Sequence, residues 1–148
     1  MLILEFDGFP PTVNTLYRSS KNHLYKQKAI REWQEEIAKK MIDQCEYSDY
    51  DTLTNINVNG FFSDQYYTSP KTMKILNIPY NGRVAVIIDF FVSNKRRWDI
   101  DNRIKSLLDC LEMSGIIEND CQIDALQVTR HNAEKDSTRI ILMEYIRE

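Results

Sequence analysis

The chain has 148 residues, 43% of them hydrophobic and 28% charged, with a formal net charge of −3 at pH 7. That length suits a single domain over residues 1–148 with a core of its own, and the composition excludes disordered and collagen-like chains. No apolar run approaches the ~20 residues a membrane helix needs, and the three cysteines, Cys45, Cys110 and Cys121, show no CxxC spacing, so a reduced, cytoplasmic setting is expected.

The first residues lack the basic start and small-residue cleavage site of a signal peptide and read as a strand over Leu2 to Phe6. Pro10-Pro11 then stiffens a loop running to Asn14. A helix is expected from about Lys26 to Cys45, where Ala29, Ile30, Trp33, Ile37, Met41 and Ile42 recur at helical spacing. Glu35–Lys39 and Glu36–Lys40 are i,i+4 pairs on its wet side. Between Thr15 and Lys40 seven basic residues stand against three acidic ones, a local +4. The acidic net charge therefore permits a basic face for DNA without demanding one, and the same charges serve equally as a solvated surface.

Tyr47 to Asn81 is the least patterned stretch. Leu53 to Val58 fits an edge strand, and Ser69-Pro70 fits an N-cap before one or two helical turns over Lys71 to Leu76. Its aromatics beside Lys71 and Lys74 suit either stacking on unpaired bases or covering a small core; packing is the preferred reading. Val84 to Phe91 is an almost unbroken apolar run and reads as a buried strand. Gln122 to His131 and Thr138 to Ile146 are two further strand-like runs in succession, read as a hairpin. The fold class is α/β in the mixed α+β sense: a small mixed sheet of about four strands with two main helices.

The chemistry concentrates between Lys95 and Asp120. Lys95, Arg96 and Arg97 precede Asp99 and Asp101, whose two-residue spacing turns both carboxylates to one side of an extended backbone. Asp101 or Asn102 can cap the helix that follows, whose apolar face is Ile104, Leu107, Leu108 and Leu111. Asp101, Lys105 and Asp109 fall four apart on an adjacent face, Gly115 supplies a stop, and Asp120 follows. Clustered carboxylates repel one another unless a cation lies between them. Hard oxygen donors of this kind suit Mg²⁺, and His23 and His131 are too scattered for zinc. Cations flanking such a centre would hold a phosphodiester, which implies metal-assisted phosphodiester hydrolysis. A DxD pair opening a helix also serves as capping and dipole charge alone, with Lys105 merely neutralising Asp101 and Asp109.

Arg97-Trp98-Asp99-Ile100-Asp101-Asn102, then Lys105, Leu108-Asp109 and Gly115, then Asn119-Asp120-Cys121-Gln122-Ile123, closely resemble the RusA family of Holliday junction resolvases. That family carries R-x-D-x-D-N-x-x-K-x-x-x-D-x-L followed by D-D-x-Q-[IV]. The resemblance implies a homodimeric, Mg²⁺-dependent endonuclease (Mn²⁺ can substitute) that nicks four-way DNA junctions, common in phages and prophages. It makes Asp99, Asp101 and Asp120 the metal-binding carboxylates and Lys105 the essential lysine, with Asn102 and Asp109 in supporting positions. A Pro-Pro-Thr-Val-Asn segment near the start, followed by Tyr17 and Arg18, is similar to one in the family and implies that Asn14 and Arg18 lie near the DNA. Arg96, Arg97 and Lys26 complete the expected DNA contacts. The chain departs from the family at Asn119, where the family has the first Asp of its DD pair. The rival expectations are a nuclease for flaps or forks and a junction-binding protein without cleavage. Intact carboxylates speak against the second, since binding alone calls for basic residues.

Overall fold

The computed structural model describes residues 2–12, 17–20, 23–26, 28–47, 79–94 and 98–145. In chain order these form strands β1 (Leu2–Asp7), β2 (Tyr17–Ser20) and β3 (His23–Lys26), helix α1 (Lys28–Tyr47), strand β4 (Val84–Val92), helix α2 (Asp101–Met113), a 3₁₀ turn (Asp120–Gln122), and strands β5 (Ile123–Asn132) and β6 (Ser137–Glu144). The strand and helical turns expected over Leu53 to Val58 and Lys71 to Leu76 lie outside the described residues, as do Asn14, Arg96 and Arg97. Among the described residues no helix is long and apolar enough to cross a membrane.

β4 is the centre of a four-stranded sheet in the order β1-β6-β4-β5. It pairs parallel with β5 and antiparallel with β6. A strand flanked on both edges and packed on both faces needs an apolar run rather than alternation, which is what Val84 to Val92 supplies. Val84, Val86, Ile88, Phe90 and Val92 share a core with Leu2 and Leu4 of β1, Ile140 and Leu142 of β6, Ile37 and Met41 of α1, and Leu107 and Leu111 of α2. Each such side chain, fully buried, contributes about 1.5–3 kcal/mol. Ala85, Ile87, Ile141 and Met143 form a second, smaller cluster on the opposite face. Asp89 is the one charge within β4; its carboxylate is met by Arg139 Nη2 and His131 Nε2, each at 2.8 Å, so the buried charge is paired.

The expected hairpin of the last two strands does not form. β4 lies between β5 and β6, and the connection 133–136 passes over its C-terminal end. Two strand spacings are about 10 Å, within reach of four residues. The Ala133 N–H donates to the Val92 carbonyl at 3.0 Å, and Asp136 Oδ1 accepts from both the backbone N–H and the hydroxyl of Ser93 at 2.7 Å. These bonds fasten the crossing to the strand it bridges.

Three further expectations are corrected. The helix expected from Lys26 begins at Lys28, because Tyr17–Ser20 and His23–Lys26 pair as a separate antiparallel ribbon. In α1, Ile30, Ile37 and Met41 are buried as expected, but Ala29 faces solvent and Ile42 is exposed, and Gln34 takes a buried place. Neither Asp101 nor Asn102 caps α2. Ile100 holds the cap position with helical dihedrals and no side-chain cap bond, and the Arg103 N–H already bonds the Ile100 carbonyl at 3.2 Å. Asp101 therefore sits inside the first turn, where its charge still complements the helix dipole.

The stop at Gly115 is as read. Gly115 has φ +71°, its N–H bonds Glu112 O at 2.9 Å, and the Ile116 N–H bonds Leu111 O at 3.2 Å, a Schellman arrangement. Gly115→Ala must place a Cβ in the left-handed region, and is expected to lower stability by about 1–2 kcal/mol, checked by urea unfolding.

Candidate active site

The front edge of α2 carries Asp101, Asn102, Lys105 and Asp109, the charged residues among them one helical turn apart. Lys105 Nζ lies 2.9 Å from Asp109 Oδ1 and 2.8 Å from Asp120 Oδ2. The 3₁₀ turn is thus tied to the helix across fifteen residues of chain. The hydrogen bonds that Lys105 donates to Asp120 and Asp109 hold its ammonium well above its ordinary value of 10.5. Because the folded value is raised, the stabilisation from this contact is complete below the ordinary lysine value and is lost only as pH rises above it. The ¹⁵N resonance of Lys105 Nζ is expected still to be that of an ammonium at about pH 11, where an ordinary lysine is mostly neutral; loss of the ammonium signal by then in an NMR pH series would contradict the contact.

Asp109 is steadied from α1. Buried Gln34 approaches Asp109 Oδ2 with Nε2 at 3.5 Å and donates from the same nitrogen to Ser106 O at 3.2 Å. Cys110 packs between the helices, wholly buried, with its thiol 3.2 Å from Ser106 O, in keeping with a packing role.

Asp99 precedes α2 and accepts from Asn102 Nδ2 at 3.2 Å. Its neighbour Trp98 is locked into the core: its ring meets Phe9 and Phe90 at centroid distances of 5.3 Å. The Arg103 guanidinium lies 4.7 Å over the same ring and that of Arg130 lies 5.6 Å from it, and Arg130 Nη1 donates to Trp98 O at 3.3 Å. Arg103 also donates to Pro10 O, and Ser106 Oγ donates to Pro11 O at 2.8 Å. The stiff proline loop is therefore pinned to the first turns of α2.

Asp120 opens a 3₁₀ turn whose ends are both fixed. Asn119 is its N-cap, with Oδ1 accepting from the Cys121 N–H at 2.9 Å. Buried Gln122 accepts from the Glu118 and Asn119 N–H groups at 2.7 and 2.8 Å, and its Nε2 donates to Tyr80 O and Gly82 O, both at 2.8 Å. The cap explains the departure from the family pattern: the position calls for a short acceptor side chain, and Asn and Asp are near equals there.

The residues singled out in the sequence thus form two groups, Asp99 with Asn102, and Lys105 with Asp109 and Asp120, while Asp101 lies between them on α2 and faces solvent. Arg18 is on β2 opposite Tyr25, and Lys26 ends β3 opposite Tyr17, rather than opening the helix. Among the described residues no three His, Cys, Asp or Glu side chains converge closely enough to hold an ion as they stand. Asp120 is instead met by the Lys105 ammonium, which offsets charge that would otherwise be uncompensated. The donor set remains one for a hard cation: carboxylate oxygens of Asp99, Asp101 and Asp120, all reachable from solvent, which fits Mg²⁺.

The sequence reading did not find the Gln34, Trp98–Arg103–Arg130 or Gln122 contacts. Only the last had a local signal, the N-x-x-Q spacing of a capping box at Asn119 and Gln122.

No curated protein matches the chain. Residues 7–143 match the family described as Endodeoxyribonuclease RusA. That span takes in β4, β5 and all but the last residue of β6, both helices and every candidate residue from Asn14 to Asp120. The chain belongs to the RusA endodeoxyribonuclease family.

Proposed function

We propose that this protein is a Mg²⁺-dependent resolvase that cuts four-way DNA junctions by paired symmetric nicks. The observation that carries the reading is the tie between α2 and the 3₁₀ turn, where Lys105 joins Asp120 to the helix bearing Asp101 and Asp109, in a chain of this family. Asp99, Asp101 and Asp120 would hold the ion. When bound, Mg²⁺ supplies positive charge to the scissile phosphate and lowers the pKa of water.

The rest falls to the chain's own groups. Lys105, kept protonated by its carboxylates, offers its charge to the phosphorane-like transition state and the departing 3′ oxygen. Asp109 keeps Lys105 in place from the buried side, and Asn102 orients the Asp99 carboxylate through its amide. Arg96, Arg97, Asn14, Arg18 and Lys26 contribute strand contacts in this reading, since phosphate neutralisation supplies most of the affinity for DNA. A second copy of the chain would bring an equivalent site to the opposite arm, because a two-fold dimer matches a two-fold junction.

The test is cleavage of a synthetic mobile four-way junction with Mg²⁺, beside linear duplex, flap and fork controls and an Asp101→Asn protein. Symmetric nicks confined to the junction and absent in the variant are expected. Preference for flaps or forks would replace the resolvase with another branched-DNA nuclease. Tight junction binding without cleavage by the wild-type protein would overturn the enzymatic reading.

A further inference from the structure

We propose that Gln122 is a positioning residue for the reaction, acting through the backbone on Asp120; this rests on the reading of Asp120 as a metal-binding carboxylate. The turn that carries Asp120 is only three residues long, too short for helical hydrogen bonds of its own to hold it in place. Its placement comes from outside. One side chain, that of Gln122, uses the full hydrogen-bonding capacity of an amide: two N–H groups donate to its oxygen and its nitrogen donates to two carbonyls. The two halves face different parts of the fold. The oxygen binds the backbone entering the turn, at Glu118 and Asn119, and the nitrogen binds the backbone entering β4, at Tyr80 and Gly82. Reversing the amide would set N–H against N–H and oxygen against oxygen, so the clamp closes in one orientation.

The second tie runs alongside. The Tyr80 N–H bonds Ile116 O at 2.9 Å, and Tyr80 bridges Ile117 in parallel. Both fasten the chain before the turn. Gln122 fastens it within the turn, two residues from Asp120, from the buried side, being 6% exposed, whereas the Lys105–Asp120 contact holds the turn at the surface. Its amide therefore sets where the Asp120 carboxylate stands relative to α2. The position matters because Asp120 meets Lys105 at 2.8 Å, while Asp101 stands in α2 and Asp99 just before it. A site assembled from two elements is sensitive to their relative placement, and a shift of about 1 Å in such a site costs ~10²-fold in rate.

A purely structural role would make a different pattern. Losing Gln122 would then lower stability and junction binding, and cleavage would fall only with the folded, bound fraction. A positioning role moves the chemistry and the response to metal while binding stays. The test uses Gln122→Met, of similar volume without hydrogen bonds, and Gln122→Glu, which keeps the acceptor and loses both donors. Each is compared with the wild type in three readouts: single-turnover cleavage of the four-way junction across Mg²⁺ concentrations, junction affinity in Ca²⁺, and amide hydrogen exchange at Glu118, Asn119 and Cys121.

The cleavage rate of Gln122→Met is expected to fall by about 10–100-fold with the Mg²⁺ requirement raised, as for residues that support metal ligands. Junction affinity should change less than about threefold, and Gln122→Glu, which turns a carboxylate oxygen toward the Tyr80 and Gly82 carbonyls, should lose at least as much rate. Exchange at Glu118 and Asn119, whose N–H groups lose their acceptor, should quicken in Gln122→Met and change less in Gln122→Glu, which keeps it. A folded Gln122→Met protein that cuts at the wild-type rate with the wild-type Mg²⁺ dependence overturns the inference. Losses in cleavage and binding that run in parallel also overturn it. Should Gln122→Met fail to fold, Gln122→Glu decides on the same criteria, and should both fail, Gln122 is a folding residue and the inference falls. A wild-type protein that leaves the junction uncut is a separate result, which removes the resolvase reading itself.

Discussion

Asp120→Asn is expected to lower junction cleavage by about 10³-fold or more. The substitution keeps the shape and one acceptor oxygen, so the Lys105 Nζ contact now at 2.8 Å can persist as a weaker, uncharged hydrogen bond. It removes the negative charge that a hard cation requires. Charge stabilisation of a phosphoryl transition state is worth several kcal/mol, and at 1.36 kcal/mol per tenfold about 4 kcal/mol is ~10³ in rate. The half-buried carboxylate lies at the surface, so melting temperature should move little. Junction affinity without metal should hold or rise, because the variant subtracts a negative charge from a surface that must approach phosphates. Single-turnover cleavage with a parallel gel-shift titration checks both parts. Cleavage within about tenfold of wild type would remove Asp120 from the catalytic set.

Phe90→Ala is expected to cause the largest loss of stability, about 3–5 kcal/mol. Phe90 is fully buried near the C-terminal end of β4, and its ring packs edge-on against Phe9 at 6.1 Å and Trp98 at 5.3 Å. Truncation forfeits the transfer free energy of the ring and leaves a cavity beneath Trp98, the residue next to Asp99. For a chain of this size, that loss corresponds to a fall of roughly 10–15 °C in melting temperature. Phe90→Leu, which refills most of the space, should cost less than about 1.5 kcal/mol. Urea unfolding of both proteins separates cavity from hydrophobicity, and a loss below about 1 kcal/mol in Phe90→Ala would show that Trp98 and Phe9 collapse into the space.

Much of the fold was legible because its signals are local. The apolar run from Val84, interrupted only by Asp89, marks a strand packed on both faces, and Ile30, Ile37 and Met41 repeat at the period of a helix that covers it. The short ribbon of β2 and β3 escaped notice: each strand is four residues long, too short for alternation to stand out from the basic residues around it. The hairpin expected at the end failed for a different reason. Succession in sequence favours pairing in space, but a crossing of four residues over the end of β4 satisfies both strands equally well.

The sequence by itself determined the four strands of the main sheet, the two helices, the glycine stop at Gly115 and the stripe of Asp101, Lys105 and Asp109, because helical and strand periods fix which neighbours share a face. It also placed Asp99, Asp101, Lys105 and Asp120 in one motif. Only the tertiary structure decided that Asp120 reaches Lys105 and that Gln122 joins the turn to the entry of β4. Those partners stand fifteen to forty-two residues apart, and no local period carries that information. It arises when β4, α2 and β5 close around a common core and their unpaired backbone groups must find partners.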